Sequence, residues 1–449
     1  VTEPTALKPY LEDERGLYQG SAACLVFPQS TKEVAAVVRL CREHQCTVVP
    51  QGGNTGYCGG ATPDGEDQVL LNLSRMNRIR ALDPVGMTVT AEAGVILAQL
   101  QQAVAEEELF FPLSMGSEGS CQLGGNLATN AGGLAVLKYG MAGELVLGLE
   151  VVLPDGSVLD ALKPLRKDNT GYHLKQLFLG AEGTLGIITA AVLKLFPRPT
   201  EFQTAWLSVR DIAAACDLLP LARRVSGDNV TSFEYISGNS LALLARHVDG
   251  LQAPLAGEHY VLLELSGPLP PQSLRPQLEA LLGEALESGL AADAVIAESL
   301  DKRRALWALR ENIPEAEKRA GRSIKHDVSV PIADIPAYCD IAPQRLAALE
   351  PLRLSVYGHI GDGNLHYNVL APEGADPVAF RAEKGEAISQ VVHDLAAEMG
   401  GSFSAEHGIG QLKTGELVRY GDPAALELMR TLKAAIDPEG RMNPGKLLD

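Results

Sequence analysis

Residues 51–60 read QGGNTGYCGG, five glycines in ten positions, directly after the short apolar run Thr47–Pro50. Glycine is needed where a backbone takes positive φ or lies hard against a ligand. A strand entering such a loop can aim successive N–H groups at an anion. Taken alone, the loop reads first as a set of tight turns. It is not a common nucleotide fingerprint: neither GxxxxGK before Ser or Thr nor GxGxxG occurs anywhere in the 449 residues. Seven more glycines fall between Gly116 and Gly140 (GSEGSCQLGGNLATNAGGLAVLKYG), and others stand at Gly171, Gly180, Gly183 and Gly186. Three clusters in the first 190 residues, interleaved with Asn and Ser, point to one extended ligand passing several loops. Backbone amides with short polar side chains suit a pyrophosphate.

Around these loops strands and helices alternate. Thr31–His44 has apolar residues at helical spacing behind a Ser-Thr cap signal. Val69–Leu73 and Met87–Ala93 read as strands, Leu97–Glu107 as an amphipathic helix, and Leu145–Leu159 as a hairpin turning at Pro154-Asp155-Gly156. Gly186–Phe196 is a strand ending at Pro197-Arg198-Pro199, the clearest boundary. Beyond it glycine thins. Strands at Thr204–Val209, Ser232–Ile236, Tyr260–Ser266, Ile324–Pro331 and Leu352–Tyr357 alternate with helices at Asp211–Val225, Gly238–Arg246 and Pro271–Ser288. That texture predicts helices on an antiparallel sheet. Long helices are predicted over Phe380–Met399 and Thr414–Ile436.

Apolar residues at 46% supply enough side chain for sizeable cores, so the chain is not disordered. Its net charge of −18 opposes nucleic acid and anionic lipid as whole-surface partners. The best apolar run, Ile187–Phe196, is too short to span a bilayer and contains Lys194. The first residues, VTEPTALKPY, lack the basic start and apolar core of a signal peptide. Seven cysteines without a CxxC pair fit reduced thiols, and the expectation is a cytoplasmic protein.

Two further stretches carry chemistry. Tyr357–His366 (YGHIGDGNLH) sets His359 and His366 on either side of a Gly-Asp-Gly-Asn turn, and a strand–turn–strand would bring them together. Alone, such a pair reads first as two unrelated surface or hydrogen-bonded histidines. Glu406-His407-Gly408-Ile409-Gly410 adds a carboxylate and a third imidazole. His359, His366 and Glu406 form a two-histidine, one-carboxylate set suited to zinc, or to Mn, Fe or Co. His407 is then a general base, a ligand itself, or a partner of the ligands. Arg310, in LWALRENI, and Lys325, in IKHDVSV, sit in a locally basic stretch that would draw a carboxylate.

These motifs resemble those of the FAD-dependent D-2-hydroxyacid dehydrogenases, flavoproteins of the vanillyl-alcohol oxidase type. The carriers are Pro50–Gly56, Asn169–Tyr172 with Gly180–Gly186, Gly358–His366, Glu406–Gly410 and Asn443–Lys446. The resemblance implies an α+β fold in three parts. Residues 1–198 would be a two-subdomain FAD-binding domain. Residues 199–410 would be a substrate and metal domain with an antiparallel sheet, and 411–449 a helical segment returning to the first. It implies FAD contacts from Pro50, Gly52, Gly53, Asn54, Thr55, Gly56, Gly116, Ser117, Gly119, Gly124, Gly125, Asn126, Glu182, Gly183, Gly186, Ile187, Ile188 and Asn443. No histidine lies between Pro50 and Gly60, so the expected FAD is non-covalent.

The resemblance makes His359, His366 and Glu406 ligands of a divalent metal, with zinc foremost, and His407 the base. Arg310, Lys325 and Asn368 would contact the substrate. The implied reaction is oxidation of a small 2-hydroxy acid, D-2-hydroxyglutarate first, D-lactate or glycolate otherwise. A non-catalytic flavin-binding subunit is the reading from another class. Reduced FAD would need an external acceptor such as an electron-transfer flavoprotein, and the resemblance carries a homodimer. One position departs: where the family has a substrate-contacting threonine four residues after the arginine, this chain has Pro314.

Overall fold

Strand Ile187–Lys194 (IITAAVLK) is apolar almost throughout and buried along all but its last residue, as a strand covered on both faces must be. It is the middle of a five-stranded antiparallel sheet, ordered Ile79–Asp83, Thr88–Glu92, Ile187–Lys194, Val146–Val152 and Val158–Ala161. A second, parallel sheet places Gln68–Asn72 between Cys24–Val26 and Thr47–Gln51. Helix Thr31–Glu43 starts where the Ser30 hydroxyl accepts from the Glu33 amide, and it buries Val34, Ala35, Val38 and Cys41. Both sheets feed one core, in which Val48, Val69 and Leu71 meet Val152 and Ile187. The computed structural model describes residues 1–349 and 352–448.

These elements belong to the first of two compact units, made of Val1–Gly133, Tyr139–Arg198 and Glu406–Asp449. The last segment is integral to it: Met442 is in the core, and the Asn443 amide donates to the Val48 carbonyl. The helix expected over Thr414–Ile436 is two helices, Thr414–Tyr420 and Pro423–Ile436. Gly421 is extended, and the Asp422 carboxylate caps the Ala425 amide at 2.9 Å. Pro423 occupies the first turn, where its missing N–H costs nothing.

The second unit comprises Leu134–Lys138 and Pro199–Ala405. Its sheet has seven antiparallel strands, ordered Ala291–Ile296, Glu201–Val209, His259–Gly267, Val230–Ser237, Arg353–Gly358, Asn364–Leu370 and Asp327–Ser329. Strand side chains alternate between faces. Leu207, Phe233, Val261, Leu365 and Val369 pack under helices Ile212–Val225, Arg275–Glu287, Ile335–Ala347 and Pro377–Glu398. Trp206, Ile236, Leu262 and Tyr357 face helices Gly238–His247, Leu300–Glu311 and Ile313–Arg319. The same alternation sends Glu234, His366 and Asn368 to this second face. Sequence reading missed the edge strand Ala291–Ile296 and helix Ile335–Ala347. It also missed Leu134–Lys138, which joins the second unit, with Lys138 Nζ on the Ser266 carbonyl at 2.5 Å. The α+β class expected from sequence is what the two units show.

Candidate active site

In the second unit the two histidines are set by a hairpin that only glycine can close. Strands Arg353–Gly358 and Asn364–Leu370 are joined by the tight turn Ile360–Asp362. Gly358 and Gly363 have φ of 152° and 90°, and a Cβ on either would lie 2.7 or 2.6 Å from a backbone carbonyl oxygen. The turn brings the rings of His359 and His366 to 5.5 Å between centroids, at 79°. His359 Nδ1 is 2.7 Å from Glu234 Oε1, so a metal would be bound through Nε2. The other oxygen of Glu234 accepts from Arg310 Nε at 2.8 Å. Burial pushes the Glu234 carboxyl up, but His359 and Arg310 outweigh it and hold the group at about 2. His366 Nδ1 has Asp327 at 3.9 Å.

Arg310 is buried, and its guanidinium lies over the Tyr357 ring at 4.6 Å. The same ring is 5.1 Å from that of His366, so Arg310 and His366 flank one aromatic. Asn368 Nδ2 is 3.4 Å from the Tyr357 hydroxyl, and a residue that sequence reading missed joins Asn368 to Lys325. Glu317 accepts from Lys325 Nζ at 2.9 Å and from Asn368 Nδ2 at 2.9 and 3.0 Å. Asn368 Oδ1 accepts from the His326 amide at 3.1 Å, so both ends of this amide already meet protein. Glu234 and Glu317 had a sequence signal of one kind, a carboxylate in line with apolar residues. Glu234 sits inside the buried strand VTSFEYIS, and Glu317 follows Ile313 and Ala316 on one helix face.

In the first unit the glycine loops meet. A Cβ on Gly52 would lie 3.6 Å from the Gly125 amide nitrogen, and one on Gly53 would lie 2.3 Å from the Ser120 carbonyl oxygen. Asn54 takes φ 54°, with its side-chain amide donating to the Glu12 carbonyl at 2.7 Å. At Gly56, Gly116, Gly119 and Gly125 a Cβ would meet no protein atom within 4 Å. Gly124 instead approaches Ala93, its amide donating to that carbonyl at 2.7 Å. Ser117 accepts the Cys121 amide at 2.8 Å, and Asn126 Nδ2 reaches the Cys121 sulfur at 3.5 Å. Pro50 closes against Gly183, and Thr55 is partly buried.

Glu182, expected along the flavin, is buried and has its carboxylate engaged by backbone. Its carboxylate accepts from the Ile409 and Gly410 amides, both at 2.7 Å, and so pins the loop that follows Glu406 and His407. Burial raises this carboxyl. The side chains of Ile187 and Ile188 are core residues, and Gly186 packs on Val151, so cofactor contact there would come from backbone. Asn443 donates to the carbonyls of Gly60 and Glu182 at 2.9 and 2.7 Å, while its buried Oδ1 has no partner among the described residues. The His407 ring meets Tyr57 at 4.9 Å. Glu406 lies so close to Gly132 that a Cβ there would fall 2.7 Å from its carboxylate. The open glycines and the Asn443 and Gln122 oxygens, without partners among the described residues, fit a large polar cofactor in this unit.

The comparisons with known proteins agree. Residues 22–162 match the family "FAD binding domain", and residues 198–447 match "FAD linked oxidases, C-terminal domain". D-2-hydroxyglutarate dehydrogenase, mitochondrial, of Bos taurus is 41% identical over 100% of this chain and 81% of its own length. The Arabidopsis thaliana protein of that name is 39% identical over 96% of this chain and 76% of its own length. Among solved structures, p-cresol methylhydroxylase with substrate bound superposes with a TM-score of 0.78 at 18% identity, over 100% of this chain and 94% of that one. That likeness shows the fold, and it is the vanillyl-alcohol oxidase type expected from sequence.

One expectation is corrected. Both relatives are named mitochondrial, which overturns the cytoplasmic reading. Seven free cysteines separate a reducing compartment from the secretory route and cannot separate cytoplasm from mitochondrion. No described helix is long and apolar enough to cross a membrane. With its cofactor domain, its oxidase domain and full-length relatives in accord, the chain belongs to the FAD-linked oxidases of vanillyl-alcohol oxidase type, as an FAD-dependent D-2-hydroxyacid dehydrogenase.

Proposed function

We propose that the protein oxidises D-2-hydroxyglutarate to 2-oxoglutarate, with a divalent metal and non-covalent FAD. The observation that carries this reading is Glu234, whose two oxygens tie His359 to Arg310 at 2.7 and 2.8 Å. One buried carboxylate thus fixes an imidazole for the substrate's reacting end and a guanidinium for a second carboxylate. His359, His366 and Glu406 would hold the metal, their donor set suiting zinc. Chain continuity supports Glu406: the amide of its neighbour Ala405 donates to Asp327, on the strand paired with that of His366.

Bound FAD supplies acceptance of the C2 hydride, and the metal a Lewis acid for the 2-hydroxy acid. His407 takes the hydroxyl proton on an imidazole nitrogen, its ring seated by Tyr57. Arg310 is held through Nε, which leaves Nη1 and Nη2 to grip a distal carboxylate as a fork. Holding both ends of the substrate aligns its C–H bond. An external acceptor for the electrons would be needed, for which an electron-transfer flavoprotein is proposed, and the working unit is proposed to be a homodimer; family resemblance supports both.

A monocarboxylate substrate, D-lactate or glycolate, is the second reading, favoured by Pro314, which offers no hydroxyl in the first turn of helix Ile313–Arg319. Arg310→Ala separates the two. The expected result is a loss of about 100-fold or more in kcat/KM for D-2-hydroxyglutarate with D-lactate much less affected, as for removal of a bidentate charged contact. Equal losses on both acids, or no turnover of D-2-hydroxyglutarate by the unaltered enzyme, would contradict the proposal.

A further inference from the structure

Glu317 has no part in the reaction as described, yet it is the most enclosed charge on this face of the sheet. It is 0% exposed, on the apolar side of helix Ile313–Arg319. A carboxylate persists there only because donors surround it. These are Ser323 Oγ at 2.9 Å, Lys325 Nζ at 2.9 Å, and Asn368 Nδ2 on both oxygens. The Lys325 side chain is 27% exposed, so its ammonium stands at the edge of the cluster with N–H groups to offer. Arg310 is likewise paired with a buried carboxylate, Glu234. Each cation that would face the far end of a diacid is therefore already countered by a buried negative charge.

We propose that Glu317 is a specificity-determining residue: by countering Lys325 it weakens the preference for dicarboxylate over monocarboxylate 2-hydroxy acids. The proposal rests on the reading that Arg310 and Lys325 face the distal end of the substrate. Its chemistry is direct. A second carboxylate approaching Lys325 meets attraction from the ammonium and repulsion from Glu317 a hydrogen bond away, and the low dielectric of the buried side enlarges both. A methyl group in the same place is indifferent to both.

The test is the ratio of kcat/KM for D-2-hydroxyglutarate to that for D-lactate, measured on holoenzyme. Glu317→Gln should raise this ratio about tenfold, because the amide keeps an acceptor for Asn368 and removes the opposing charge. Lys325→Met should lower it, and in that background Glu317→Gln should have no further effect, since no ammonium remains to be countered. An unchanged or lower ratio in Glu317→Gln overturns the proposal, as does an equal rise with Lys325 absent. Should Glu317→Gln alone fail to accumulate as yellow protein, Lys325→Met and the double variant decide. Equal ratios in those two support the proposal, and unequal ones overturn it. Failure of the functional reading is distinct, because it appears as no turnover of D-2-hydroxyglutarate before any residue is changed.

Discussion

At the scale of single residues, the candidate site residues are held by carboxylates that are buried and therefore committed. Glu234 holds a histidine and an arginine, Glu317 a lysine and an asparagine, and Glu182 two backbone amides. The pairings of Glu234 with His359, Glu317 with Asn368 and Glu182 with Ile409 were not legible beforehand, because the partners lie 125, 51 and 227 positions apart in the chain, whereas Lys325 stands only 8 positions from Glu317. His359 and His366 were legible, since seven residues and a glycine turn suffice to place them. The glycines divide in the same way: clustering marked the loops, but only the fold separates Gly53, forced by the Ser120 carbonyl, from Gly125, which faces open space. That separation makes a prediction. Gly125→Val should fold, with a melting temperature near that of the unaltered apoprotein, and bind FAD at least about tenfold more weakly, as bulk meets the cofactor rather than protein. Unchanged FAD content after gel filtration would refute the cofactor's placement against this loop.

Elements carry a second set of buried charges, in the five-stranded sheet. Glu92 and Glu150 both pair across from Ala190, one on each side of the central strand Ile187–Lys194. Arg80, from strand Ile79–Asp83, reaches both, at 3.1 and 3.0 Å. Burial would raise these two carboxyls, but hydrogen bonds from Arg78 and Arg80, with Thr31 and Thr189 at Glu150, bring them below the ordinary range. Carboxyls depressed in the folded state add stability above their unfolded pKa and lose it as pH falls through the folded one. Arg80→Ala should therefore cost about 2–4 kcal/mol near neutral pH, since it leaves buried carboxylates short of a partner. The gap to the unaltered protein should narrow as pH falls below about 4. Denaturant unfolding at pH 7 and pH 3.5 checks this, and a gap that widens in acid would contradict it. Strand positions were legible from apolar runs, but the pairing that brings Glu92 and Glu150 to one arginine was not. The break at Gly421-Asp422-Pro423 was present in the sequence as a cap and a proline, and helical spacing on either side concealed it.

For the whole molecule, the order of pieces along the chain was only partly visible. Pro197-Arg198-Pro199 marks the passage to the second unit, and the motif at Glu406 marks the return. Residues Leu134–Lys138 carry no such mark. They enter the second unit because Leu137 packs beside Gly361 and the Leu134 carbonyl accepts from Ser232. The cofactor domain and the oxidase domain each match a known family over their own stretch, and the relatives match both together. Under the proposed function, a metal held by His359, His366 and Glu406 would be required for electrons to leave the hydroxy acid. The direct measurement is anaerobic mixing of the yellow holoprotein with D-2-hydroxyglutarate, before and after chelation, followed at the flavin absorbance. Rapid bleaching is expected before chelation, none after it with FAD still bound, and recovery when zinc or manganese is restored. Full bleaching of metal-free protein at the original rate would contradict that requirement for a metal.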